Sequence, residues 1–212
     1  MKLHYINTEH TPNNEAQQDR HTADQLLKEG RDAEARPIYL RLWENGVQRA
    51  ALSLGRIEER KGLNDLKNLS EAENWYRRAQ EKMNDNAAKF SVARIILLRH
   101  QLDESSRSDE RINAAIKLLE DLSEKEIPQA AVYLGLIFFA GNVTSINKER
   151  AEQLFRIGEK YEFLAALSML MRISFHRKKY ITVIRYALKI IRVFISLIGK
   201  PSDPRFLGVK KL

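Results

Sequence analysis

Apolar residues recur three and four positions apart along nearly the whole chain from Ala23 onward. This spacing is typical of one face of an α-helix, whereas no segment keeps the period-two alternation of a half-buried strand. The pattern therefore predicts an all-α protein of ten helices that pair into five antiparallel hairpins. The predicted ranges are 15–29, 33–45, 47–61, 70–83, 86–101, 108–123, 128–140, 147–160, 162–177 and 180–198.

The expected helix ends carry residues that stop or start a helix. Four glycines follow apolar stretches, where a left-handed residue ends a helix: Gly30, Gly46, Gly62 and Gly141. Three polar residues are predicted N-caps: Ser70, Ser108 and Asn147. Glu73 gives Ser70 a capping box, and Pro128 suits the first turn of its helix. Pro37 predicts a kink in its helix or a later start for that helix.

The helix pairs are variants of one sequence pattern. AALSLGRIEERKG followed by AENWYRRA is matched by AAVYLGLIFFAG followed by AEQLFRIG. One alanine recurs in the first helix of successive pairs, at Ala50, Ala88, Ala130 and Ala166. Another recurs in the second helix, at Ala35, Ala72, Ala115 and Ala151. Both series take their longest step across the polar linker LDESSRSDE, so the period indicates a helical-repeat solenoid whose loops absorb the insertion.

This pattern resembles the Sel1-like repeat, a relative of the tetratricopeptide repeat. The family pattern is an Ala, then Leu-Gly four and five residues later, a Gly at the helix end, and Ala, an aromatic pair and Ala in the second helix. Residues 50–88 and 130–166 match it well, and the resemblance covers about residues 33 to 175. The intervening unit has Val92 and Ala93 in place of Leu-Gly, and the last has Met171 in place of Gly. The resemblance implies a right-handed solenoid of about five hairpins that binds other proteins and performs no catalysis.

By the same resemblance, the first helices of the repeats line the concave face. The positions one before the Leu of Leu-Gly and four after its Gly tend to be polar there, but in this chain they are Tyr133, Phe139, Met169 and Phe175. An exposed patch with aromatic anchors is typical of a protein-binding surface. The alternative is that tight curvature of the solenoid, or the terminal helix folding over them, buries these side chains. The second repeat contributes a polar end of the same surface, with Ser53, Arg56 and Arg60.

Positive charge is concentrated at the C-terminal end of the chain. The formal net charge is +8, and from Arg172 onward eleven basic residues face one acidic residue. The last predicted helix, YITVIRYALKIIRVFISLI, is apolar except for a stripe of Arg185, Lys189 and Arg192. Three central charges argue against a membrane span. We expect the apolar surface to be covered by the tail (Phe206, Leu207, Val209 and Leu212), by a second copy in a homodimer through residues 180–198, by another protein, or by a lipid surface.

The residue content gives no sign of catalysis. With no Cys, the chain has no disulfide, zinc–thiolate site or thiol nucleophile, its five His are scattered, and it has no Gly-rich phosphate loop. We therefore expect no cofactor, metal or small-molecule substrate. The N-terminal residues lack an apolar run of signal-peptide length, which predicts a cytoplasmic protein, with attachment to the inner face of a membrane as the alternative.

These observations predict a leader over residues 1–14, a helical-repeat domain over 15–179 and a basic apolar terminal segment over 180–212. The expected function is that of a non-enzymatic adaptor, scaffold or regulator that binds another protein through the concave face. The alternative is a peripheral binder of an anionic membrane or of nucleic acid through the basic C-terminal helix.

Overall fold

The computed structural model describes residues 12–62, 66–102, 108–199, 203 and 205. Within these residues the chain forms ten α-helices and no strand, as the apolar periodicity predicts. The helices are α1 (Pro12–Lys28), α2 (Asp32–Glu44), α3 (Ala50–Gly62), α4 (Leu66–Met83), α5 (Asn86–Leu102), α6 (Asp109–Glu124), α7 (Pro128–Ala140), α8 (Lys148–Lys160), α9 (Leu164–His176) and α10 (Tyr180–Leu197).

The chain divides into two compact units, Met1–Met83 and Asn84–Leu212. In the first unit α1 pairs with α2 and α3 with α4, and α2 packs against α3. In the second, the hairpins α5–α6, α7–α8 and α9–α10 follow one another through contacts of α6 with α7 and of α8 with α9. Of the predicted leader, residues 1–11 lie outside the described residues and 12–14 belong to α1.

The alanines that define the repeat all face the interior of their unit. Each of the eight is between 0 and 3% exposed, in the first helix and in the second helix of successive pairs alike. A residue without a long side chain lets the backbone of a neighbouring helix approach closely, and the larger apolar residues fill the remaining space. The helix-hairpin repeat inferred from their spacing is therefore confirmed.

The glycine of each Leu-Gly pair has a packing role that is the same in both units. A Cβ atom added to Gly55 would lie 2.5 Å from Cε1 of Tyr76, and one added to Gly135 would lie 2.8 Å from Cε1 of Phe155. In each case an aromatic ring of the second helix lies directly on the backbone of the first. The Gly of Leu-Gly and the aromatic residue of the second helix are thus the two sides of one helix–helix contact.

Three of the four predicted terminating glycines have left-handed backbone angles, with φ of +78° at Gly30, +84° at Gly46 and +72° at Gly141. Such angles are unfavourable for residues that carry a Cβ. The prediction was wrong for Gly62, which is the buried last residue of α3. Its missing side chain instead leaves space for Leu69 of α4.

Two of the predicted N-caps are confirmed and one was wrong. The backbone N–H of Arg111 donates to Ser108 Oγ at 3.4 Å, and that of Arg150 donates to Asn147 Oδ1 at 2.9 Å. Ser70 lies inside α4, which begins at Leu66. Burial of Leu69 against α3 favours this extra turn, so the expected capping box does not form.

Of the two prolines discussed above, Pro128 lies where it was predicted, whereas one of the two alternatives for Pro37 was wrong. Pro128 is in the first turn of α7, as predicted. α2 begins at Asp32 and continues through Pro37, so the alternative of a later start for that helix was wrong.

Candidate protein-binding surface

The predicted anchors of the second unit lie on two neighbouring first helices, α7 and α9. α7 is enclosed along most of its length, and its residues Ala130 to Gly135 are all buried. α9 is less enclosed, since Ser168, Arg172 and Phe175 are exposed. The accessible part of this region is therefore on α9 and at the C-terminal end of α7.

Tyr133 is a core residue. Its side chain is 7% exposed, and its ring meets the edge of Phe90 on α5 with centroids 6.1 Å apart and planes at 90°. Burial by α5 corrects the expectation that Tyr133 is an open anchor. Tyr133 therefore fits the alternative prediction, in which the repeat itself buries this side chain.

Phe139 is half-buried and forms the link between α7 and α9. Its ring lies 6.3 Å from that of Phe155 on α8, and the guanidinium carbon of Arg172 lies 5.5 Å from its centroid. The arrangement is a cation–π contact between the two first helices. Arg172 was not among the predicted site residues; its position three residues before Phe175, on the same helical face, was the available signal.

Phe175 is the most open of the predicted anchors, with 58% of its surface exposed. Its ring lies 6.3 Å from that of His176 and 6.4 Å from that of Tyr180 at the start of α10. Met169 is only partly buried and packs against the core cluster of the second unit. We call the surface formed by Phe139, Arg172 and Phe175 the aromatic–arginine surface.

The predicted polar residues of the first unit have different surroundings. The guanidinium of Arg60 lies 3.1 Å from Asp32 Oδ1 and donates to the Leu27 carbonyl at 3.4 Å, so it ties α3 to the first hairpin. Ser53 is half-buried and hydrogen-bonds with the Tyr39 hydroxyl. Arg56 is exposed. Of these three side chains, Arg56 and Arg60 are exposed and Ser53 is not.

Two buried carboxylates of the first unit were not predicted. Glu58 is 2% exposed and lies 2.7 Å from Arg36 and 3.3 Å from Lys61. Glu73 is 4% exposed and lies 2.9 Å from Arg77. Buried charges are tolerated when they are paired, so both have a structural role. For Glu58 the available signal was its place four residues after Leu54, on the apolar face of α3.

Carboxylates of α8 and the turn that follows it contact much of the basic C-terminal end. Arg177 lies 2.7 Å from Glu152 and Lys189 lies 3.6 Å from Glu159. Glu162 is shared by Arg192, at 3.5 Å, and Arg205, at 3.6 Å. The three residues of the predicted basic stripe therefore have different contacts. Lys189 and Arg192 are paired with carboxylates, whereas the guanidinium of Arg185 lies 5.9 Å from the Tyr186 ring.

The side of α10 that faces away from the hairpin is apolar and open; we call it the outer face of α10. Eight large apolar side chains are more than half exposed there and at its C-terminal end: Tyr180, Ile181, Ile184, Leu188, Ile191, Phe194, Ile195 and Ile198. The tail residues expected as one of its covers, Phe206, Leu207, Val209 and Leu212, lie outside the described residues.

A small cavity of about 10 Å³ lies between α5 and α6, lined by Ile96, Arg99, His100, Ser108, Arg111 and Ile112. His100 is 8% exposed, and its Nδ1 has no hydrogen-bond partner among the residues that the structure describes. The volume is close to the minimum that holds one water molecule, so it does not admit an organic substrate. In the described part of the chain, no group of three or more His, Asp or Glu is placed to hold a metal ion.

None of the described helices combines the length and the apolar content needed to cross a bilayer. No family model matches the chain, and no curated protein matches it significantly. Among solved structures it is similar to the crystal structure of a Sel1 repeat protein from Oxalobacter formigenes, with a TM-score of 0.61 and 18% sequence identity. The match covers 84% of this chain and 72% of the other. The fold of the chain is therefore the all-α Sel1-like repeat fold that its Leu-Gly and alanine pattern predicts.

Proposed function

We propose that this chain is a non-enzymatic protein-interaction module, an adaptor, scaffold or regulator, that binds a protein partner through the aromatic–arginine surface. The observation that carries the proposal is the exposure of Phe175, whose side chain is 58% exposed. Arg172, on the same helix, contacts the ring of Phe139 on α7. Aromatic residues and Arg are the types that most often dominate the binding energy of protein interfaces. Met169, at the margin of this surface, supplies an adaptable apolar contact.

Rigid support for these side chains favours the same function. α9 buries Leu164 to Leu167, Leu170 and Ser174 against its neighbours, so Arg172 and Phe175 project from a helix that is already ordered. Binding then costs less conformational entropy than binding by a flexible loop. Helical-repeat folds in general use their stacked hairpins as extended binding surfaces, and the likeness to a Sel1 repeat protein supports this use.

Binding of nucleic acid or of an anionic membrane through the basic end is less favoured. Such binding depends on positive charges that neutralise phosphates and release counterions. Arg177, Lys189, Arg192 and Arg205 are instead within 2.7 to 3.6 Å of carboxylates of their own chain. The excess of basic residues in the C-terminal sequence therefore overstates the charge available to an external phosphate.

Site-specific photo-crosslinking tests the proposal. Benzoylphenylalanine would replace Phe175 in the full chain, and a matched version would carry it in place of Tyr161, which is 44% exposed at the α8–α9 turn. In host lysate at high salt, we expect one discrete crosslinked protein from position 175 and none from position 161. The added substitution Arg172→Ala removes the guanidinium of the aromatic–arginine surface, so the product from position 175 should be lost.

Thermal unfolding provides the control for this experiment. Because Arg172 and Phe175 are exposed, Arg172→Ala and Phe175→Ser should each leave the melting temperature within about 2 °C of the unsubstituted chain. Equal products from positions 161 and 175, or a product from position 175 that persists with Arg172→Ala in a folded chain, would contradict the proposal.

A further inference from the structure

The outer face of α10 has the spacing of a coiled-coil seam. Five of its exposed residues follow one another at intervals of three, four, three and four: Ile181, Ile184, Leu188, Ile191 and Ile195. Each is between 56 and 87% exposed. In heptad notation these residues occupy positions a, d, a, d and a, the positions that pair with a second helix. We call these five residues the α10 seam.

Packing of α10 within the second unit leaves this seam pointing outward. Tyr186 and Val193, which are each 1% exposed, occupy the two f positions of the same heptads. Position f lies on the opposite side of a helix from a and d. The residues that anchor α10 to its own unit therefore use the far side, and the seam is open to another molecule along its length.

We propose that a second copy of this chain binds the α10 seam, so that two α10 helices pair in parallel and in register. The proposal uses residues other than the aromatic–arginine surface and goes beyond the binding of a protein partner proposed above. A copy of the same chain supplies a matching row of apolar a and d residues at the same spacing.

The residues that flank the seam are compatible with this self-pairing. The e positions carry Arg185 and Arg192, whereas the g positions carry Tyr180, Ala187 and Phe194. In a parallel pair, e faces g of the other helix, so Arg185 meets the partner copy's tyrosine ring at position 180, a favourable cation–π geometry. In an antiparallel pair the e positions would face each other and bring Arg against Arg.

The other possible covers fit the described contacts less well. Arg205 contacts Glu162, the residue that also contacts Arg192, so Arg205 lies at the arginine-bearing edge of α10. A lipid surface would be favoured by unpaired cations beside the apolar face. Two of the three cations of the stripe are instead paired with carboxylates, Lys189 with Glu159 and Arg192 with Glu162.

The size of the seam suits a weak but specific dimer. Two heptads pairing across a two-fold axis would bury on the order of 1,000 Å² in total, the lower end of specific interfaces. An isolated helix of this length would be only marginally stable in water. α10 is already folded on α9, so pairing does not have to supply the energy for helix formation.

Sedimentation velocity of the full chain over a range of concentrations tests the proposal. We expect a reversible monomer–dimer equilibrium with a dissociation constant on the order of micromolar. Ile184→Glu and Ile191→Glu each place a charge in the seam, and each should raise that constant at least ~30-fold, as loss of an interface hot spot does. Ser196→Glu introduces the same side chain at the exposed b position of α10 and should leave the constant unchanged.

A single engineered thiol tests whether the two α10 helices pair in parallel, because the chain has no native Cys that could form a competing disulfide. Ile181→Cys places a thiol at the first a position, where parallel pairing brings the two copies together. Mild oxidation should link most of the chain into a disulfide dimer, whereas Ser196→Cys should remain unlinked. A dimer that forms in solution but is not linked through position 181 would overturn the parallel register.

Two results would overturn self-association itself. One is a chain that stays monomeric throughout the concentration range. The other is a monomer that co-sediments with phosphatidylglycerol vesicles and loses that binding through Ile184→Glu, since the seam would then be a lipid-binding face. Crosslinking from position 175 to another protein would be unaffected by Ile184→Glu, so failure of this proposal is distinguishable from failure of the proposed function.

Discussion

The first and last of the described helices, α1 and α10, present opposite kinds of surface to solvent. None of the exposed large apolar side chains of the described residues lies on α1, whereas eight lie on or next to α10. α1 exposes polar residues such as Glu15, Gln18 and Gln25. A terminal repeat that faces water needs a polar outer side. α1 has such a side and α10 does not, and this difference supports the proposal that the outer face of α10 binds a second copy of the chain.

The inner faces of the two end hairpins are alike, which sharpens the contrast. In the first hairpin, the hydroxyl of Tyr39 on α2 donates to Asp24 of α1 at 2.5 Å. In the last, the hydroxyl of Tyr186 on α10 donates to Glu159 at 3.2 Å and accepts from Arg156 at 3.2 Å, both on α8 of the preceding hairpin. Each hairpin thus buries a tyrosine whose hydroxyl reaches a carboxylate.

The largest predicted effect is a difference in stability between substitutions on the inner face and on the outer face of α10. Tyr186→Ala should lower the free energy of unfolding by about 3–5 kcal/mol, because it leaves a cavity where an aromatic side chain is fully buried. Leu188→Ala, on the outer face, should change it by less than about 0.5 kcal/mol when the chain is monomeric. Urea unfolding at low protein concentration measures both values, and similar losses for the two variants would show that the outer face is covered.

A smaller effect tests whether the interiors of the two units are alike. Gly55→Ala and Gly135→Ala each place a methyl group against an aromatic ring that lies on the glycine backbone. Each should cost about 1–3 kcal/mol, as overpacking of a core does. Chemical denaturation of the two variants supplies the comparison. If only one substitution is destabilising, the Leu-Gly contact is not equivalent in the two units.

Alkaline pH should weaken both end hairpins. Burial, together with the neighbouring carboxylate, raises the pKa of Tyr39 and of Tyr186 above the ordinary value. The folded chain then keeps these protons to a higher pH than the unfolded chain does. Their contribution to stability is complete below about pH 10, the ordinary tyrosine pKa, and is lost as pH rises through the folded-state values.

Stability measured between neutral and strongly alkaline pH tests this prediction. Tyr39→Phe and Tyr186→Phe should each flatten the alkaline decline. A decline as steep in the double variant as in the unsubstituted chain would assign the pH dependence to other groups.

The smallest effects concern exposed ion pairs. Asp19→Asn removes the contact of Asp19 with Arg41 at 2.7 Å on the first hairpin, and should cost no more than about 1 kcal/mol. Glu162→Gln should cost equally little but release Arg192 and Arg205 from their shared carboxylate. Retention on a heparin column at low salt should therefore increase for Glu162→Gln and not for Asp19→Asn. Unchanged retention would mean that Glu162 does not mask the basic end.

The fold was predictable because its signals are local. Apolar spacing, three of the four helix-ending glycines and the Asn147 and Ser108 caps each act within a turn or two of the chain. The prediction failed at Ser70 and Gly62, where the decisive contact is made by Leu69 across the α3–α4 hairpin. A cap residue competes there with burial of a leucine, and sequence spacing alone does not reveal which of the two dominates.

The candidate surfaces were less predictable, because exposure depends on neighbours that are distant in sequence. Tyr133 and Phe175 were both predicted as open anchors, yet Phe90 covers the first and the second remains open. The charge of the C-terminal segment was readable from its residues. Its pairing with Glu152, Glu159 and Glu162 was not, since those carboxylates lie on the preceding hairpin and the turn that follows it.

We propose that the α9–α10 hairpin has two open surfaces with two different occupants. The test is to place benzoylphenylalanine at position 175 in one sample and at position 184 in another, and to irradiate both in the same lysate. We predict a heterologous protein crosslinked from position 175 and a covalent dimer of this chain from position 184. The same product from both positions, or no dimer from position 184 at a concentration well above micromolar, would contradict the claim.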